Sequence, residues 1–396
     1  AGLVSMPIEL LVYKIANHLS TTDLGSLRRT CRVLERTLFD SFAKEFFTKK
    51  QFMLTTPSLS ALVDISKHKE LSKHLKHVII GLEQYPTLDS GVYSGPMDHT
   101  RRQRCFDGQA DQISLTQNGG DRAMLADAFR HLTHLETLGI RDYNNRHRPR
   151  ERARWNSYGA TTVRRETGIE FFCDSHTAAE FAAKVYKLLF LALGDAQTSV
   201  PSIEVILRKP SVGLDNVAFY LLPYSLPNVI PVLENLHQLL LTIRLKSQRV
   251  THLMQPVPFG QPDPPTPRNR QLYLAQFLGH AKNLTHLRLN MQQHEYDACT
   301  EVLQTFSDPN TPLLLPRLEK IELGMMRINP DLLLQVVTRF ATTLRFLGFW
   351  KLSLRYTRST YRSEDNKPNV WANLLCHISK VPGLNLTGMA LGYIGQ

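Results

Sequence analysis

Between Met6 and Phe47 the apolar residues recur at steps of three and four, with short polar breaks and no strand-like alternation, which predicts three short helices. Ile8, Leu11, Val12, Ile15 and Leu19 form one stripe of a helix that starts near Pro7. Proline suits that first turn because its missing N–H would have had no partner there, and Glu9 lies close to the positive end of the helix dipole. Ser20-Thr21-Thr22-Asp23 ends this helix and opens the next, as a variant of the capping box. Leu24 and Leu27 continue the apolar surface. A third helix runs from about Cys31 through Phe47, with Leu34, Leu38, Phe42 and Phe46 four apart on one face.

From residue 48 onward the texture changes to strand-like phrases separated by helical stretches. Leu132, Leu135, Leu138 and Ile140 are spaced LxxLxxLxI, and Leu233, Leu236, Leu239 and Leu241 repeat that spacing. Leu284, Leu287 and Leu289 give a shorter copy; Leu315, Leu318, Ile321 and Leu323 give another; Leu344, Leu347 and Phe349 give a weaker one. Such phrases turn leucines inward and then form a short strand, as in leucine-rich repeats, although the intervals here are uneven. The expected architecture is α/β: a helical module over residues 1–50, then an irregular leucine-rich-repeat-like solenoid over 51–396 that leaves one surface for a partner. Ala178 to Leu193, Leu272 to His280, Asp297 to Phe306 and Asp331 to Phe340 are the expected helical backs. Loops are expected near 84–118, 141–165, 255–269, with six prolines, and 356–369.

Composition narrows the function classes. No apolar run approaches the roughly 20 residues that cross a bilayer, and Leu188 to Leu193 is only a buried-helix length, so no membrane partner is expected. Ala1 to Ser5 lacks the pattern of a secretory signal. Five cysteines, Cys31, Cys105, Cys173, Cys299 and Cys376, lie far apart without a CxxC pair, which points to reduced thiols inside the cell, in cytoplasm or nucleus. The sequons at Asn283 and Asn385 are then chance matches.

The residues Met6-Pro7-Ile8-Glu9-Leu10-Leu11, then Ile15 and Leu19, then Asp23-Leu24, Leu27 and Thr30-Cys31-Arg32, resemble the F-box pattern in type and spacing across about a tenth of the chain. The continuation to Glu83, with Leu59, Leu62, Ile65, Ser66 and Val78-Ile79-Ile80, looks like F-box proteins of filamentous fungi. Met6 replaces the family's usual leading leucine, and Leu34 stands where a tryptophan is frequent. The resemblance implies an SCF-type ubiquitin ligase subunit that docks on a Skp-family adaptor, and through it on cullin and a RING protein. Met6, Pro7, Ile8, Leu11, Ile15, Leu24, Leu27, Cys31 and Leu34 are the residues it assigns to adaptor binding, with Leu11 and Leu24 as anchors. The substrate is an unidentified protein, and the chain is a non-catalytic receptor that acts by proximity. Without the resemblance, the triplet would be read as packing entirely on the following body.

The net charge of +12 is partly local, since Arg141 to Arg165 holds eight arginines against Asp142 and Glu151 and so supplies 8 − 2 = +6. This stretch reads first as a solvated loop. It also fits a phosphate-tracking nucleic-acid binder with Tyr143 and Trp155 stacking on bases, or an acidic-degron site. Fifteen histidines form no HExxH or zinc spacing, and His131, His134, His280 and His286 sit in leucine phrases as solvent-edge or satisfied histidines. No GxSxG, Walker A or dinucleotide loop appears, so no cofactor, metal or catalytic residue is assigned. An F-box-bearing scaffold acting outside ubiquitination is the remaining alternative.

Overall fold

The structure, a computed structural model, describes residues 2–85, 98–144, 156–169, 178–209, 212–245, 273–291, 296–311, 313–355 and 369–394. Two compact units divide the chain, Ala1–Cys173 and Asp174–Gln396. The boundary expected near residue 50 therefore lies inside the first unit. The architecture is α/β, as the phrases indicated.

The first unit opens with a helix, α1, that starts at Ile8–Leu10, widens into a π turn over Leu11–Ile15 and tightens over Ala16–His18. Next come α2 (Thr21–Thr30) and α3 (Arg32–Phe47). The Ser20 hydroxyl accepts from the Asp23 backbone N–H at 3.1 Å and donates to the Asp23 carboxylate at 2.7 Å, so the capping sequence works as its spacing indicates. Three parallel strands follow in chain order, β1 (Lys49–Met53), β2 (His77–Gly81) and β3 (Thr137–Arg141), with α4 (Thr56–Lys67), α5 (Leu71–His74), α6 (His99–Gln117), α7 (Gly120–His131) and α8 (Ala160–Thr167).

Two of the expected loops need correction. Residues 84–118 contain the 19-residue α6, which buries only Cys105, Gln112 and Leu115; so sparse an apolar face leaves little periodic signal. Residues 141–165 begin at the end of β3 and finish inside α8; the central part, 145–155, is outside the described residues, as are 255–269 and 356–368.

In the second unit β4 (Ser202–Ile206), β5 (Gln238–Ile243), β6 (His286–Met291), β7 (Lys320–Gly324), β9 (Phe346–Trp350) and β11 (Gly388–Gly392) pair in parallel and in chain order. A separate short pair joins β8 (Arg327–Ile328) to β10 (Ser353–Leu354). The helices are α9 (Ala178–Ala196), α10 (Leu226–Glu234), α11 (Tyr273–Gly279), α12 (Tyr296–Ser307), α13 (Pro330–Arg339) and α14 (Val370–Ser379), and four of these match the expected helical backs to within three residues at either end.

The leucine phrases explain the register. Leu239, Leu287, Ile321 and Leu347 align across four strands, and so do Leu241, Leu289, Leu323 and Phe349. Each phrase's earlier leucine, at 236, 284, 318 or 344, is fully buried before its strand begins. Consecutive strand starts are also tied in one way: Thr285 N–H donates to His237 O, Glu319 N–H to Thr285 O, and Arg345 N–H to Glu319 O. The strand ends repeat too, because Met325, Lys351 and Tyr393 adopt left-handed backbone just after β7, β9 and β11. Tyr186 and Phe190 of α9, Phe219, and Phe277 of α11 form an aromatic cluster with centroid separations of 5.1–5.7 Å.

Candidate docking surface of the N-terminal helices

The helical triplet has a small core of its own. Leu11, Ala16, Leu24, Leu34 and Leu38 form a buried cluster, and Val12, Ile15, Leu19, Leu27, Cys31, Phe42 and Phe46 pack around it. Every member comes from α1, α2, α3 or the turn between them, so the stripe read from the sequence closes on itself.

The nine residues assigned to a partner therefore separate into three groups. Leu11, Leu24 and Leu34 are sealed inside, at 1%, 3% and 5% exposure. Ile15, Leu27 and Cys31 are half-buried against that core. Met6, Pro7 and Ile8 stand in solvent, Met6 at 37% and Ile8 at 49%. Leu11 and Leu24 were expected to anchor a partner; in this conformation they anchor the triplet itself, because three short helices need their largest inward side chains to hold together. An aspartate at either position would put an unpaired charge in the core and would not report on the surface.

The outer surface also holds residues the stripe did not mark. Leu3, Val4, Leu10 and Tyr13 are exposed, so six of the eleven residues from Leu3 to Tyr13, counting Met6 and Ile8, are large apolar groups facing water. Leu10 and Tyr13 fall off the 8-11-12-15-19 stripe, and an apolar residue off the core stripe is the sequence signal that could have found them. Scattered apolar exposure is ordinary, but a run this dense on one short segment is characteristic of an interaction surface.

Electrostatics at this surface are mild. Glu9 and Lys14 are exposed, and among the described residues neither makes an ion pair. No group of three or more His, Cys, Asp or Glu side chains among the described residues could hold a metal ion. No described helix is long and apolar enough to cross a membrane. The described cysteines, Cys31, Cys105, Cys299 and Cys376, are free thiols. What the surface offers chemically is a dense set of exposed apolar side chains at the start of a helix.

The class this defines is an α/β protein carrying a self-packed helical triplet with an apolar outer segment. No protein-family model matches the chain, and no curated protein matches it at a significant level.

Proposed function

We propose that the chain is the substrate-recognition subunit of an SCF-type ubiquitin ligase, with the triplet docking on a Skp-family adaptor and the remaining α/β body presenting a protein target. The observation that carries this reading is the exposure of Met6, Pro7 and Ile8, the start of the F-box-like motif, on a triplet whose core is already complete. A folded module that still shows a dense apolar segment has a surface to give to a partner. The parallel strands in chain order, with aligned leucine phrases, suit an irregular leucine-rich-repeat-like solenoid, an architecture that binds proteins along an extended face. In this reading the chain contributes proximity, and the chemistry belongs to the RING protein and its charged conjugating enzyme.

The test uses surface residues only. A Met6→Asp, Ile8→Asp, Leu10→Asp variant of the full chain keeps its melting temperature and loses co-purification with the adaptor and cullin. Burying one such side chain contributes about 1.5–3 kcal/mol, so the triple change reduces capture below detection. Undiminished capture overturns the docking reading. Capture of adaptor without cullin by the unmodified chain overturns the ligase role and favours a scaffold.

A further inference from the structure

A second site lies on the same triplet, at the junction of α2 and α3. A cavity of about 670 Å3 is lined there by Gly25, Arg28, Arg29, Cys31, Arg32, Glu35 and Phe42. Three arginines thus face one carboxylate. Arg28 is the informative one: its side chain is only 14% exposed, and its guanidinium carbon lies 3.7 Å from the Phe42 ring centroid. Its ion pair with Glu35 is 3.5 Å long, well beyond the roughly 2.7–2.9 Å of a good charge-assisted bond. The Arg28 Nε–H is buried and finds no acceptor among the described residues. Burial pushes the Arg28 guanidinium below its ordinary range, with Glu35 only partly opposing the shift. A half-buried cation held by one ring face and one long ion pair, with a buried donor left over, has capacity for a further acceptor.

The surroundings supply the rest of a receptor for one. Arg29 and Arg32 are exposed and make no ion pair among the described residues. The 16-residue α3 begins at Arg32 with no side-chain cap from Cys31, so its positive end adds to the same field. An added Cβ at Gly25 would meet nothing within 4 Å, so there is open space beside this turn of α2, where the Gly25 carbonyl accepts from the Arg29 Nε–H at 3.3 Å. Phe42 provides an apolar floor and packs on Phe46 at 4.9 Å between centroids. A phosphate-sized ion would fill a small part of this volume, whereas a peptide carrying carboxylates beside an apolar side chain uses both the arginines and the ring.

We propose that this groove binds an acidic peptide segment, with carboxylates on Arg28 and Arg32 and an apolar side chain against Phe42. Glu35 holds part of the place the ligand's carboxylate takes. The site goes beyond adaptor docking, and Cys31 is its one residue in common with the nine assigned to the adaptor.

The experiment is fluorescence anisotropy with the full chain and a fluorescein-labelled peptide of two glutamates, a leucine and two further glutamates. Binding weakens as salt rises, and the glutamine version of the peptide does not bind. Arg32→Gln, at an exposed position that leaves folding intact, weakens binding about tenfold, and Arg28→Met does so at least as strongly. Glu35→Gln strengthens it about threefold, because the internal competitor is gone. Equal binding of the glutamine peptide, no change with Arg32→Gln, or weaker binding with Glu35→Gln overturns the proposal. Tighter binding of a single-stranded oligonucleotide than of the peptide, or equally effective displacement by inorganic phosphate, overturns the peptide assignment.

Discussion

The helical triplet and the aromatic cluster of the second unit solve the same problem in opposite ways. In the triplet five buried residues hold three helices together, while six large apolar residues between Leu3 and Tyr13 remain in water. In the second unit Tyr186, Phe190, Phe219 and Phe277 are all sealed, and the leucines of β5, β6 and β7 are buried in register. The second arrangement is a core built to be permanent. The first is a core reduced to what folding needs, with apolar area held outside it, and the proposed docking surface rests on that difference.

That contrast can be broken from the inside first. Leu24→Asp places an unpaired charge in the triplet's small core, and it is expected to melt the triplet, with a loss of about 3–5 kcal/mol or more. Circular dichroism should show lost helicity while the second unit stays folded. Phe277→Ala should cost about 3–5 kcal/mol in the other region, read by denaturant melts, because it empties a ring-sized space among three neighbouring aromatics. A cost below about 1 kcal/mol would mean that the aromatic cluster is loosely packed and the contrast overstated.

A polar chain sharpens the comparison by a smaller amount. Across β4, β5, β6 and β7, the Ser202 hydroxyl donates to the Gln238 amide oxygen at 2.9 Å, the Gln238 amide meets His286 Nδ1 at 2.9 Å, and His286 Nε2 meets the Glu322 carboxylate at 2.9 Å. The hydrogen bond from His286 pulls the Glu322 carboxyl from 4.5 down to about 2, with burial opposing and Lys320 assisting. A folded-state value below the unfolded one stabilises fully above about pH 4.5, and that contribution drains away as pH falls toward 2. The stability gap between the wild type and Glu322→Gln is therefore expected to be about 2 kcal/mol at neutral pH, after allowance for partial solvent exposure, and to close near pH 2. A gap that does not change with pH would mean that the carboxylate's charge contributes nothing.

Tyr186 gives the smallest effect and the opposite sign. Its hydroxyl is fully buried with no hydrogen-bond partner among the described residues, and burial raises its ionisation well above the ordinary tyrosine range. Tyr186→Phe removes an unsatisfied polar atom and keeps the ring, so it should stabilise by about 1 kcal/mol in thermal melts. Destabilisation would show that the hydroxyl has a role in the cluster.

Much of this is legible in the sequence. The 3.6-residue stripe gave the three N-terminal helices, Ser20 and Asp23 gave the cap between the first two, and the leucine phrases marked β3, β5, β6, β7 and β9. Two of the strands that escaped carry the same spacing in other residues: Val200, Ile203 and Val205 lead into β4, and Leu386, Met389 and Leu391 into β11, whereas β1, β8 and β10 do not carry it. A search for leucine missed a rule about apolar positions. The polar chain was not legible at all, because Ser202, Gln238, His286 and Glu322 are far apart in sequence and meet only once register is set. Nor did periodicity distinguish which triplet residues face inward to neighbouring helices and which face outward. Leu11 and Ile8 lie on one stripe, yet only Leu11 is covered.

The central claim is that the apolar segment ahead of the triplet's core receives another protein. Hydrogen–deuterium exchange of the full chain, with and without purified Skp-family adaptor, reads it directly. The account predicts slowed exchange over residues 3–13 on adding adaptor and none over α9; unchanged exchange over residues 3–13 at saturating adaptor would contradict it.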